Sequence, residues 1–509
     1  MAVNIRIFQD GKVLSRTQGE IGQSLLEVVS KAGHFLDAPC GGKGRCGKCL
    51  VRLTPDGEEV KSCRTYVEGD MDIYLPSVTE MKIAETGAGG VVSADETTGP
   101  YGIAVDIGTT TVVAHLTDLP TKARIATASG VNAQRTYGAD VISRIQYCSE
   151  NGHETLTRLI RDQIADLIRQ TLKKTGKKPE EIKYLSIAGN TVMEHLFAGL
   201  SPVSIGVAPF RCLSLFGDEL TDVSDLPVAP DAKIYMAPCV ASYVGGDITA
   251  GMLASDLDNI EGTSVYLDIG TNGEIAMKVN DKYYCCATAA GPAFEGAEIS
   301  KGMAATQGAV NHAEWVDGRL VIHTVGDAPA VGLCGSGLLD VLSIMLDTGV
   351  VDETGRLLNA DELEMPVAAY AGRKDGKNVF WVDKEHDVYM NADDVRKLQL
   401  AKSAIAAGIR TLMHEAGVEQ VDWFLLAGGF GSYMDKNSAA RIGMFPREFV
   451  PVTRTMGNTA GEGAAITLCS AEERRLVENI TQRCHYIELS ESRYFNDVYI
   501  DEMMFPDGE

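Results

Sequence analysis

The sequence has no apolar run of about eighteen residues, the length a helix needs to cross a bilayer. Its opening, MAVNIRIFQDGK, alternates like a strand and lacks the apolar core of a secretory signal, so a cytoplasmic chain is expected. Positive charge is scarce. Against 70 Asp and Glu stand 46 Lys and Arg, a net charge of 46 − 70 = −24. Residues 1–80 hold ten basic and eleven acidic side chains, so nearly all of the excess falls downstream. A surface this acidic repels nucleic acid and anionic membrane, and neither is expected as a partner. Ligand-like spacing is equally scarce. Eight of the twelve cysteines (Cys148, Cys212, Cys239, Cys285, Cys286, Cys334, Cys469 and Cys484) show none and read as small core hydrophobes. His195, His414 and His485 share no spacing that suggests joint chemistry. Twelve cysteines without a secretory signal point to a reducing compartment.

What is present is long enough for two to four domains, with 509 residues, 45% apolar and 23% charged, as in soluble globular proteins. VNIRIFQ and KVLSRTQ read as a hairpin turning at Asp10-Gly11, followed by the helical spacing of QSLLEVVSKAG with a stop at Gly33. A glycine-rich stretch, APCGGKGRCGKC, comes next, then strands in KCLVRLTP and MDIYLP. This is the element order of a β-grasp ferredoxin. Cys40, Cys46, Cys49 and Cys63 follow C-x5-C-x2-C-x13-C. Structural zinc sites usually group their ligands in two short knuckles, and only one is present. A long gap, a C-x2-C pair and a distant fourth cysteine is the plant-type [2Fe–2S] arrangement, here with the first gap one residue longer. Gly41, Gly42, Gly44 and Gly47 suit a loop that wraps a cluster and aims backbone N–H groups at sulfur.

Residues 77–100 are rich in Gly, Ser, Thr and acid, and read as an exposed linker. Then YGIAVDIGTTTVVAHLTDL brings an apolar strand, a tight Asp106-Ile-Gly108-Thr109-Thr110 turn and a second apolar strand. The design returns in TSVYLDIGTNGEIAM, with Asp268, Gly270, Thr271, Asn272 and Gly273. In each turn a glycine lets backbone approach a phosphate, hydroxyls and N–H groups donate to its oxygens, and the aspartate can orient a Mg²⁺-bound water. VDWFLLAGGFGSYMD is a buried strand ending in Gly428, Gly429, Phe430 and Gly431, a turn along which a planar base could slide. GNTAGEGAAITLC is a small-residue helix suited to close packing beneath a nucleotide. Asp247 follows a glycine pair at an expected helix start and is either the residue that positions the attacking water or a helix cap. Thr191 is an N-cap candidate, Gly335 and Ser336 open an apolar helix that could touch nucleotide, and Glu295 and Glu298 lie unassigned in a glycine loop.

Two phosphate hairpins followed by a glycine adenosine loop resemble the actin-like ATPases, among them acetate and sugar kinases, actin and the seventy-kilodalton chaperones. The resemblance covers about residues 100–490 and implies two α/β subdomains with ATP and Mg²⁺ in the cleft between them. It makes Asp106 and Asp268 the metal-water aspartates, Gly108–Thr110 and Gly270–Gly273 the phosphate turns, and Gly428–Gly431 the adenosine loop. The expected fold is therefore mixed α/β and α+β. It has a β-grasp ferredoxin at 1–78, a linker at 79–99, and actin-like subdomains at 100–260 and 261–509.

A cluster that moves one electron, fused to an ATPase, suggests an electron pushed uphill. Plant-type clusters sit near −400 mV. An uphill gap of ~200 mV costs about 5 kcal/mol at 59 mV per tenfold change. A nucleotide-driven switch of about 5.5 kcal/mol covers that gap. End to end, PCGGKGRCGKC, VDIGTTT, AGNTVMEHLF, LDIGTNGEI, AAGPAFEGAEI, CGSGLLD and LAGGFGSYMD resemble the reductive activators of corrinoid enzymes. The resemblance implies ATP-dependent reduction of an inactive Co(II) corrinoid to Co(I) on a methyl-transferring corrinoid protein, an upstream low-potential electron donor, and a homodimer. Members often carry an extra domain where this chain has only its linker. A redox-sensing, nucleotide-dependent interaction module and a metabolite kinase with an appended cluster are the alternative readings.

Overall fold

The computed structural model describes residues 2–507 apart from 33, 35, 37, 39–41, 43, 45–48, 77–98 and 432. Cys40, Cys46, Gly41 and Gly47, the stop at Gly33 and all of the expected linker but Gly99 lie outside the described residues.

At the N-terminus β1 (Ala2–Gln9) and β2 (Lys12–Glu20) pair antiparallel around Asp10 and Gly11, both at positive φ, as the hairpin reading expected. Helix α1 (Leu25–Lys31) is capped by Ser24, whose hydroxyl accepts the Glu27 N–H at 3.3 Å. Strands β3 (Leu50–Arg52), β4 (Glu59–Lys61) and β5 (Met71–Tyr74) complete a sheet of order β2-β1-β5-β3-β4, in which β1 and β5 run parallel. Ile5 and Ile7 alternate inward from β1 and meet Leu25, Val29, Val51 and Ile73. Each such side chain contributes about 1.5–3 kcal/mol on full burial.

The second unit opens with β6 (Tyr101–Ile107), β7 (Thr111–Asp118) and β8 (Ala123–Val131) as an antiparallel meander. Helices α2 (Val141–Asn151) and α3 (Glu154–Thr175) cross over to β9 (Ile182–Gly189), which lies parallel to β6. Helix α4 (Thr191–Phe197) then leads by way of β10 (Glu219–Leu220) to β11 (Lys233–Met236), parallel to β9, and α5 (Gly246–Ala254) follows. The sheet order is β10-β11-β9-β6-β7-β8.

That plan recurs. Strands β12 (Ser264–Ile269), β13 (Gly273–Val279) and β14 (Lys282–Thr288) form a second antiparallel meander. The chain then inserts a small sheet of β15 (Ala309–Val316), β16 (Arg319–Thr324) and β17 (Gly332–Leu333), the buried helix α6 (Gly335–Asp347), and a meander of β18 (Ala371–Lys374), β19 (Lys377–Asp383) and β20 (Val388–Asn391). Helix α7 (Ala392–Ala416) returns it to β21 (Trp423–Ala427), parallel to β12. The helical turn α8 (Gly428–Gly431) and α9 (Lys436–Arg441) lead to β22 (Thr453–Gly457), parallel to β21. The central strands β6 and β12 thus have matching neighbours: on one side an antiparallel strand followed by another antiparallel to it, on the other two successive parallel strands. Both are apolar almost throughout because sheet faces covered on both sides demand it.

Helix α10 (Thr459–Cys469) leaves the second sheet and packs back on β6, β9 and α5 of the first, tying the units together. Helix α11 (Ala471–Gln482), β23 (Cys484–Tyr486) and α12 (Arg493–Asp501) follow, and α12 lies on α7. The buried Lys402 amine of α7 donates to the Met504 carbonyl at 2.6 Å, fastening the C-terminal segment. Among the described residues no helix is long and apolar enough to cross a membrane. Of the eight cysteines read as core, Cys148, Cys239, Cys285, Cys286 and Cys334 are buried, and Cys212, Cys469 and Cys484 are half-buried.

Candidate functional site

The two Asp-Ile-Gly-Thr turns join β6 to β7 and β12 to β13, so each sheet presents one hairpin at the end of its central strand. The first is braced from behind. Asn132 Nδ2 donates to the Gly108 carbonyl at 2.8 Å, Asn190 Nδ2 to the Thr109 hydroxyl at 3.0 Å, and Arg144 Nη2 to the Thr109 carbonyl at 2.5 Å. Arg144 is fully buried, and burial lowers it to about 9, so it still carries its charge at neutral pH behind the turn. In the second hairpin the Gly270 N–H closes the turn on the Asn272 carbonyl at 3.0 Å. Gly273 opens β13 where a Cβ would stand 2.7 Å from the Thr288 hydroxyl. The hairpins meet at one side chain. Glu295 accepts the Thr110 hydroxyl on Oε2 at 2.9 Å and the Thr271 hydroxyl on Oε1 at 2.7 Å.

Behind the turns lies a cluster of carboxyls, with Glu274 buried and Asp106, Asp247 and Asp268 half-buried. Burial raises Asp106 to about 7, against the Asn458 amide that donates to its Oδ2 at 2.9 Å. Burial raises Asp268 to about 6, opposed by the Tyr266 hydroxyl at 3.3 Å. Asp247, in the first turn of α5, is pushed to about 8 by burial and then by the charges of Asp268 and Asp106. The N-cap of α5 is Gly245, so Asp247 is not the helix cap; its Oδ1 accepts the adjacent Ile248 N–H at 2.9 Å. Glu274 was not anticipated. It is directly opposite Asp268 in the β12–β13 register, and burial with the charges of Asp247 and Asp268 holds it well above the usual carboxylate range. The four carboxyls influence one another's charge; among the described residues they form no direct chelating group, so they fit Mg²⁺ held through its water shell rather than bound directly.

The adenosine-loop candidates flank this pocket. Gly428 lies where a Cβ would sit 2.5 Å from Asp268 Oδ1, so the turn can start there only as glycine. Phe430 stacks on Phe294 at 5.6 Å and 8°, and Gly335 at the head of α6 lies against both. Gly429, between them, has open space at its Cβ position. Ser336 donates to the Asn311 carbonyl at 2.7 Å. The cap of α4 is Asn190 rather than Thr191: Asn190 holds the extended cap backbone and accepts the Met193 N–H, while the Thr191 hydroxyl donates to the Ala241 carbonyl. His195 is buried between the Thr191 carbonyl and the Leu213 N–H, a structural role. Arg144 and Asn458 escaped the sequence reading; Asn458 before a small-residue helix is an N-cap signal, but nothing local points it at Asp106.

In the N-terminal module the buried thiols of Cys49 and Cys63 stand 3.3 Å apart and are not joined in a disulfide. Two soft donors held in contact, fourteen residues apart in sequence, fit two ligands of an iron–sulfur cluster.

Twin sheets of one topology, each turning a Gly-Thr hairpin toward a shared acidic pocket, define an actin-like ATPase. A family model described as the RACo middle region matches residues 101–260, and one described as the C-terminal domain of RACo, the ASKHA domain, matches 262–509. The corrinoid activation enzyme RamQ of Eubacterium limosum is 31% identical over 585 aligned residues, covering 95% of this chain and 96% of that protein. The [Co(II) methylated amine-specific corrinoid protein] reductase of Methanosarcina barkeri is 23% identical over 80% of this chain and 77% of its own. A solved reductive activator for corrinoid, iron-sulfur protein superposes with a TM-score of 0.72 at 28% identity, covering 100% of this chain and 99% of its own. The chain belongs to the family of reductive activators of corrinoid proteins.

Proposed function

We propose that this chain is an ATP-hydrolysing reductase that delivers one electron to the inactive Co(II) corrinoid of a methyl-transferring corrinoid protein and restores Co(I). The reading rests above all on two phosphate hairpins converging on one side chain, Glu295, in a chain whose N-terminal module holds paired thiols. Cys40, Cys46, Cys49 and Cys63 would hold a [2Fe–2S] cluster, which when bound supplies a single electron at low potential. In the cleft, Thr109, Thr110, Thr271 and Asn272 donate to the phosphates of ATP. Asp106 and Asp268 would hold Mg²⁺ by way of its water shell, and the ion, when bound, would neutralise phosphate charge. Asp247, raised to about 8 by burial and by its acidic neighbours, would take the proton of the attacking water once the charge of bound Mg²⁺ favours its ionised form. Gly428–Gly431 and the head of α6 at Gly335 and Ser336 border the base. The working division is a ferredoxin module at 1–78, a linker at 79–99 and ATPase subdomains at 100–260 and 261–509. We further propose a homodimer in the cytoplasm, fed by an upstream low-potential donor.

The test mixes anaerobically purified, reduced, cluster-loaded protein with a Co(II) corrinoid protein and follows the visible spectrum. Co(I) should grow in only with Mg-ATP. A reduced cluster and intact ATP hydrolysis without Co(I), across several corrinoid partners, would shift the reading to a redox-sensing module.

A further inference from the structure

Glu295 links two elements that come from different sheets. Thr110 lies 185 residues before it and Thr271 lies 24 residues before it, and each hydroxyl donates to a separate oxygen of the one carboxylate. A hydroxyl has a single proton to donate. The donors that would receive a nucleotide's phosphate are therefore already spent on an internal anion of similar size and charge. Carboxylate and phosphate cannot hold both threonines at once.

The segment that carries this carboxylate is itself wired to the opposite end of the cleft. Glu295 ends a short 3₁₀ turn, Pro292–Glu295. Within that turn Phe294 stacks on Phe430 of the adenosine loop, and its carbonyl lies 2.0 Å from the position a Cβ on Gly335 would occupy. Phosphate hairpins, Glu295, Phe294 and Phe430 thus form one continuous chain of contacts.

Given the reading of the cleft as an ATP site, we propose that Glu295 is a positioning residue that clasps the two phosphate hairpins and yields its place to the terminal phosphate of ATP, so that ATP, and not ADP, frees the Pro292–Glu295 turn. The clasp spans both hairpins, and on this proposal the group that enters between the two threonines is the outermost phosphate of a triphosphate. ADP ends one phosphate short and leaves the clasp closed. Glu295 thereby discriminates between the nucleotide before hydrolysis and the nucleotide after it. Its release is carried to the adenosine loop through the Phe294–Phe430 stack.

The experiment is calorimetric titration of Mg-ATP and Mg-ADP into the full, cluster-loaded chain, as wild type, Glu295→Ala and Glu295→Gln. Glu295→Gln is nearly isosteric and guards against misfolding of the alanine variant. In both variants ATP should bind about tenfold tighter, the effect of releasing one charge-assisted hydroxyl bond. ADP affinity should stay within about twofold, because the clasp does not compete with it. The ATP-to-ADP affinity ratio is the deciding readout, since a merely structural role moves both nucleotides together. ATP binding that is unchanged or weaker in both variants overturns the clasp, as does an equal shift for ATP and ADP. Absence of ATP binding by the wild type overturns the cleft reading itself, and the clasp with it.

Discussion

Gly463→Ala sets two known effects of one methyl group against each other. Gly463 is in α10 where that helix crosses α5, and a Cβ there would stand 2.1 Å from the Ala250 carbonyl oxygen, 2.5 Å from its carbon and 2.7 Å from its Cα. All three are backbone atoms, so no side chain can swing away. Ordinary contact needs about 3.4 Å, which means the helices must part by roughly 1.3 Å. Helix propensity alone favours alanine over glycine by about 1 kcal/mol. Overpacking a closed interface typically costs about 1–3 kcal/mol, and a backbone-to-backbone clash belongs at the upper end. The net expectation is a loss of about 1–2 kcal/mol. It should also reach the chemistry. Helix α10 is capped by Asn458, whose amide donates to Asp106, and α5 carries Asp247 in its first turn. Parting the two helices spreads the carboxyl cluster. Urea titration of the full chain, followed by far-UV circular dichroism, should show a lower midpoint for the ATPase transition, with slower ATP hydrolysis. A variant as stable as wild type or more so, with hydrolysis unchanged, would refute the close crossing.

Two further outcomes follow from the site. Asp247 is raised from 3.8 to about 8, so the native state holds its proton where the unfolded chain has lost it; its contribution to stability is greatest below pH 4 and is lost as pH rises through 8. Asp247→Asn removes that loss and should gain about 2 kcal/mol or more at pH 8, nothing at pH 4, while ATP hydrolysis falls about 100-fold; equal stabilities at pH 8 in thermal melts would count against the buried charge cluster. Cys63→Ser should bring iron and acid-labile sulfide down with the visible absorbance, whereas Cys148→Ser, far from the paired thiols in sequence and buried in the core of the second unit, should keep all three. Full iron content in Cys63→Ser would remove that residue from the ligand set.

The parts of this fold legible in the sequence are those whose cause is local. Asp106 and Asp268 stand out because an apolar strand, an acid and a Gly-Thr turn recur in order, and sequence proximity alone builds each hairpin. Glu274 was within reach of the same logic: a six-residue step around the second turn places it opposite Asp268, on the same face of the pair. Strand β4 was missed because three residues at a sheet edge, mostly exposed, carry too little alternation to register. Asn190 displaced Thr191 as cap because one residue of backbone phase decides which side chain faces the free N–H groups. The remaining contacts have no local signature at all. Asn458 reaches Asp106 across 352 residues, Thr110 reaches Glu295 across 185, and Arg144 reaches the Thr109 carbonyl across 35. These contacts decide the electrostatics. A DxGT turn by itself offers hydroxyl and N–H donors beside one acid and says nothing of its neighbours. What distinguishes this pair of turns is the buried guanidinium behind the first, the surplus of carboxyls between them, and Glu295, whose carboxylate accepts a hydroxyl from each.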